Sequence, residues 1–128
     1  MGTYESTTPE QKCIFCRIIA RTAPGTIVYE DDAVLAIVPI DQVSKGHTLV
    51  IPKSHAENIL DIENESLEKV ILVTKKLSKE LLVEHGATGI NVLHAAGLDA
   101  QQSVFHLHFH IVPRYPNDGL DLWPRNNL

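Results

Sequence analysis

Ser103-Val104-Phe105-His106-Leu107-His108-Phe109-His110-Ile111-Val112-Pro113-Arg114 interleaves two registers. Phe105, Leu107, Phe109 and Ile111 hold the odd positions. Val104, His106, His108, His110 and Val112 hold the even ones. Successive side chains of a β-strand point to opposite faces, so this alternation predicts a strand. One face is large and apolar and is expected to pack on a core. The other carries three imidazoles in a row, about 6.7 Å apart along an extended chain. Pro113 has no N–H for a ladder and is expected to end the run.

Histidine has no special preference for strands. A half-exposed face would be served as well by Lys, Thr or Glu, so the row asks for a chemical reason. One reason is metal binding, since imidazole is a common ligand and His-x-His sets two on one side of a strand. Another is catalysis, because imidazole attacks, accepts and donates protons near neutral pH.

The pattern His-φ-His-φ-His-φ-φ, with φ apolar, resembles the motif of the histidine-triad family. Cys13-Ile14-Phe15-Cys16 and Gly46-His47-Thr48-Leu49-Val50-Ile51-Pro52-Lys53-Ser54-His55 match it too, in the same order. The likeness covers about residues 12 to 115 and is greatest to the small nucleotide-binding branch. It implies an α+β fold, a two-fold homodimer and a purine nucleotide or nucleoside phosphoramidate as substrate.

At 128 residues the chain is long enough for one domain with one core. Its net charge of −5 gives no basic field for nucleic acid. No apolar run approaches the roughly 20 residues of a membrane span. The start lacks the basic-then-apolar pattern of a signal peptide, so a cytoplasmic protein is expected. Residues 1–11 are polar and are expected to form a flexible arm, residues 12–115 the domain, and residues 116–128 an irregular tail.

Cys13 and Cys16 are the only cysteines. Their spacing suits a redox pair, a metal knuckle or two core thiols. A redox Cys-x-x-Cys usually follows a strand, and none precedes this one. A structural disulfide does not suit a reducing compartment. The resemblance implies a zinc site of Cys13, Cys16, His55 and His106. Four protein ligands fill a tetrahedral zinc ion and leave no position for water, so such a site is structural.

Ile14 to Ala20 reads as a short helix. Ile27–Glu30 and Ala33–Val38 read as a hairpin turned at Asp31-Asp32, and the near-continuous apolar second strand is expected to be buried on both faces. His47–Pro52 reads as a third strand. Leu67, Val70, Ile71, Thr74, Leu77, Leu81 and Leu82 recur at helical spacing, which predicts an amphipathic helix over about 65–84, stopped by Gly86. That helix can cover Phe105, Leu107 and Phe109. Thr88–His94 reads as a fourth strand. The sum is a mostly antiparallel sheet of about five strands with one long and one short helix.

The resemblance implies catalysis through a covalent nucleotidyl-histidine. It places the nucleophile at His108, with His110 meeting phosphate oxygens or the leaving group and His47 supporting the triad. Ser103 matches a family serine that hydrogen-bonds the leaving group or phosphate, and Gln102 beside it is expected to orient the phosphate. Asp41, the nearest acid to the family's ribose-binding position, is expected with Ile40 at the substrate. Three positions depart from the usual pattern. Pro39 stands where an Asp commonly holds the ribose hydroxyls, Ala95 replaces an Asn, and Gln101 replaces a Gly. His85 and His94 read as structural or solvent-facing. Two other readings stay open: an enzyme whose triad histidines hold a catalytic metal, and a module that binds a nucleotide or protein without turnover.

Overall fold

A computed structural model of the protein describes residues 12–124. The arm expected over residues 1–11 lies outside the described residues, as does the end of the tail. The elements run α1 (Ile14–Ile19), β1 (Thr26–Glu30), β2 (Val34–Val38), β3 (Thr48–Pro52), α2 (Asn64–His85), β4 (Gly89–Leu93) and β5 (Phe109–Arg114), with one 3₁₀ turn at Leu98–Ala100. The five strands form one antiparallel sheet in the order β1-β2-β3-β5-β4. The expected α+β architecture is therefore present. Among the described residues, no helix is long and apolar enough to cross a membrane.

Local chemistry sets the boundaries. Cys13 caps α1, its Sγ accepting from the Cys16 N–H at 3.3 Å. Asp31 makes the hairpin, its Oδ1 accepting from the Ala33 and Val34 N–H groups, both at 2.8 Å. Gly86 ends α2 in the left-handed region at φ 69°, where a residue without Cβ fits easily. At the end of β5, Arg114 grips Asp118 with two nitrogens, each at 2.9 Å, and this ties down the start of the tail.

The sheet is covered on both faces. On one, α2 lays Val70, Val73 and Leu77 over Val34, Ala36, Val50, Leu107, Phe109 and Ile111. On the other, α1 lays Phe15 and Ile18 over Leu35, Ile37, Leu49 and Ile51. The burial of β2 on both faces is as expected. The helix stripe needs a correction. Val73 is buried, whereas Ile71 is 44% exposed and Leu82 37% exposed. The phase of α2 is set by where it crosses the sheet, which periodicity alone leaves open.

The triad strand is also shorter at its start and longer at its end than expected. β5 begins at Phe109, and the three histidines do not share one regular strand. β3 pairs with it only from Val50 opposite Phe109 to Thr48 opposite Ile111. Ahead of Phe109, side chains and a loop take the backbone groups that a ladder would use. The Pro52 carbonyl accepts from His106 Nε2 at 2.8 Å, and the Leu107 N–H donates to the Ala56 carbonyl at 2.7 Å. Phe105, expected in the core, is consequently 37% exposed, while Leu107 is fully buried.

Pro113 does not end the strand. It pairs with Ile90 inside β5. The Arg114 carbonyl accepts from the Thr88 N–H, so residue 114 aims its polar groups at the β4 side. Residue 113 aims the other way, where β3 has already left the register. The missing N–H therefore breaks no ladder bond.

Gln101 holds φ 71°, left-handed, at the end of the 3₁₀ turn. A side chain there costs about 1–2 kcal/mol, against about 0.5–1 kcal/mol for the greater freedom that glycine loses on folding. Gln101→Gly is therefore expected to raise stability by up to about 1 kcal/mol, read by urea denaturation. A drop in the midpoint would contradict the strain argument.

Candidate functional site

Two clusters meet at His106. The first joins the start of α1 to the loop after β3. Cys13 Sγ lies 3.2 Å from His106 Nδ1, and Cys16 Sγ lies 3.3 Å from His55 Nδ1 and 3.4 Å from His106 Nδ1. The two Nδ1 atoms are 3.2 Å apart, and all four donor atoms fall within 4.8 Å of one another. The edges of a zinc tetrahedron with two N and two S ligands are about 3.3–3.8 Å. The four short spacings of 3.2–3.4 Å come close to this, and the widest, within 4.8 Å, would have to draw in. The sulfurs are not joined in a disulfide. A carbonyl can only accept, so the Pro52 oxygen fixes the proton of His106 on Nε2 and leaves the Nδ1 lone pair aimed into the cluster. The residues expected to hold a metal are thus brought together.

The second cluster is His47, His108 and His110. His108 Nδ1 donates to the His106 carbonyl at 2.9 Å, which leaves Nε2 with its lone pair. His47 Nδ1 accepts from the Val43 N–H at 3.2 Å, so its proton sits on Nε2. That proton is donated to His110 Nδ1 at 3.0 Å, and His110 must then carry its own proton on Nε2. The rings of His108 and His110 are 5.0 Å apart. Backbone groups therefore dictate a complementary pair: a bare nitrogen on His108 beside an N–H on His110.

Burial favours the neutral rings this pairing needs. Desolvation pushes His110 down to about 4, helped by the neighbouring His108, His47 and His94, and it lowers His108 and His47 as well. Phe15 walls off His106 and His108, edge-on at 5.8 and 5.2 Å. A histidine with a depressed pKa binds fewer protons folded than unfolded between about pH 6.5 and 4. The histidine contribution should therefore fall as pH drops through that window and level off below it, where the lowered carboxyls of Glu30, Asp31, Asp61 and Asp118 carry the loss further. His110 alone, lowered from 6.5 to about 4, accounts for about 3 kcal/mol. Urea midpoints measured from pH 7 to 4 check this, and a flat profile would contradict it.

The expected substrate residues are less concentrated. Ile40 and Asp41 are exposed on the loop after β2, with Ile40 fully so. Ser103 is exposed and opens on a hollow shared with Cys13, His55 and Glu57. Gln102 is buried and its amide is saturated. It donates to the Glu57 and Val104 carbonyls and accepts from the Gly97 N–H and the Asn58 amide. Its side chain holds loops together, and its main-chain N–H donates to the Gly97 carbonyl at 3.1 Å, so no donor of Gln102 is left for a phosphate in this arrangement.

His94, expected to be structural or solvent-facing, is partly buried and bonded through both ring nitrogens, a place not legible in the sequence. Its Nε2 accepts from the Ile59 N–H at 3.0 Å, and its Nδ1 donates to the His108 carbonyl at 3.1 Å. Its position directly after β4 was the one available signal.

The HIT domain profile matches residues 20–117. The chain is 47% identical over 105 residues to the protein hit of Bacillus subtilis, covering 82% of this chain and 72% of that one. It is 33% identical over 127 residues to the Arabidopsis thaliana protein named adenylylsulfatase HINT3, covering 99% of this chain and 64% of the relative. Among solved structures, a zinc-bound histidine triad family protein of Mycobacterium smegmatis superposes with a TM-score of 0.84. It is 34% identical, with 92% of this chain and 86% of that one covered. With the triad, the paired cysteines and the five-stranded sheet all in place, this chain belongs to the HIT domain family.

Proposed function

We propose that the protein is a nucleotidyl hydrolase or transferase that cleaves a nucleoside monophosphate from its leaving group by way of a nucleotidyl-His108. The observation that carries this is the complementary pair: a bare Nε2 on His108 beside an N–H on His110. A neutral imidazole approaches an anionic phosphate without charge repulsion. His108 Nε2 forms a bond to phosphorus as the P–N or P–O bond to the leaving group breaks. The electron pair departs with that group, which takes up a proton from solvent. The ring gains positive charge, and the His106 carbonyl already holds its Nδ1–H. The His110 N–H is a fixed donor for a phosphoryl oxygen or the leaving group. Water then attacks phosphorus and releases a proton to solvent, the P–N bond to His108 breaks, and the lone pair returns to Nε2. Ser103 is assigned to the leaving group and Ile40 with Asp41 to the nucleoside.

Cys13, Cys16, His55 and His106 would hold zinc, which supplies no reactive position and fastens α1 to the segment before β5. The thiols this requires suit a cytoplasmic location. A homodimer is proposed from the surface. β4 is an edge strand, and its exposed Val92 adds to the exposed Ile71, Leu72 and Val83 of α2.

The test is hydrolysis of adenosine 5′-phosphoramidate, with AMP as the product measured. Turnover supports the reading. Tight AMP binding without turnover would replace it with a binding module. Turnover that stops in chelator while the protein stays folded would replace it with a catalytic metal.

A further inference from the structure

His106, Leu107 and His108 lie where the sheet has stopped. β3 reaches only to Val50 opposite Phe109, and β4 only to Leu93 opposite His110. The loop 55–61 takes over. His55 shares the metal cluster with His106, and the Ala56 carbonyl accepts from the Leu107 N–H. The third link, to His108, runs through a side chain. The Ile59 N–H donates to His94 Nε2, and His94 Nδ1 donates to the His108 carbonyl.

Donor and acceptor of this imidazole are both used, and their order is forced. An N–H can only donate, so Nε2 is bare. The proton is then on Nδ1, the one nitrogen that faces a carbonyl. The His108 ring is anchored to the His106 carbonyl two residues away, a bond that travels with the segment. It does not fix the segment against the rest of the protein. The His94 bridge does, at the residue whose aim matters most.

We propose that His94 is a positioning residue for the nucleophile, tying the main chain of His108 to the loop 55–61 and so aiming His108 Nε2 at phosphorus. This rests on the reading of His108 as nucleophile. A purely packing role would need only the contact of the His94 ring with Phe109, at 5.1 Å between centroids. Phenylalanine would supply that contact equally well and neither hydrogen bond. Glutamine carries one acceptor and one donor at its end and can restore both.

The experiment compares wild type, His94→Phe and His94→Gln as full-length, zinc-loaded protein. It measures hydrolysis of adenosine 5′-phosphoramidate and the imidazole nitrogen and Nδ1–H resonances of His108 by NMR. His94→Phe is expected to lower kcat by about 10–100-fold, as misplacement of a reacting group by about 1 Å does. Its KM should change by less than about threefold, and the His108 Nδ1–H signal should shift or broaden. His94→Gln should recover both readouts. A Phe variant with wild-type kcat and unchanged His108 signals would overturn the proposal, and so would a Gln variant that recovers neither. Should the Phe variant not fold, His94→Asn replaces it, since its amide is too short to reach both partners. If wild type itself shows no turnover, the nucleophile reading fails by itself. The NMR arm then decides alone whether His94 holds the His108 segment.

Discussion

Replacing His108 with alanine is expected to lower hydrolysis of adenosine 5′-phosphoramidate by about 10⁴-fold or more, because losing a nucleophile that works as part of a unit removes the whole route. No neighbouring imidazole can stand in. His110 presents a proton rather than a lone pair, His47 spends both nitrogens on Val43 and His110, and His106 aims its lone pair at the cysteines. The fold should survive. The ring loses one hydrogen bond and an edge contact with Phe15, a cost of about 1–3 kcal/mol in a domain whose stability is on the order of 5–15 kcal/mol. The comparison is made at equal zinc content and with the thermal midpoint recorded. Wild-type turnover by the variant would refute the assignment.

Removing the metal is expected to have the second-largest effect, and on stability first. The cluster joins the N-terminal end of α1, the loop after β3 and the segment before β5, three pieces distant in sequence. Structural zinc contributes about 10–16 kcal/mol in peptides that have no other core. Here two hydrophobic layers persist without it, so a loss of about 3–5 kcal/mol is expected, or a fall of about 10–20 °C in the thermal midpoint for a domain of this size. Scanning the protein after chelation, and again after adding zinc back, measures this. An unchanged midpoint in metal-free protein would show that the cluster is two thiols and two imidazoles without a structural ion.

Much of this was legible in the sequence because the signals are local or chemically unusual. Alternation located the end of the sheet that carries the histidines. The Cys-x-x-Cys spacing and the family likeness assembled Cys13, Cys16, His55 and His106, which lie as far as 93 residues apart, into one set. What stayed hidden depends on where other elements stop. Alternation continues through His106 and Leu107, but the ladder does not, because the Pro52 carbonyl is taken by an imidazole. Pro113 stays in the strand because β3 has already left it. Val73, rather than Ile71, faces the core because the sheet fixes the rotation of α2. Gln102 reads as a phosphate ligand by position, yet its amide is consumed by four groups from Glu57, Asn58, Gly97 and Val104. Gln101 marks a left-handed turn that no side-chain pattern reveals.

The most direct measurement is mass analysis of the zinc-loaded protein, held in excess over adenosine 5′-phosphoramidate and quenched at alkaline pH during the first turnover. A nucleotidyl group on the peptide containing His108, absent from His108→Ala, is the expected result. Complete conversion to AMP with no adduct at any time, or an adduct carried by His110, would contradict nucleophilic attack by His108.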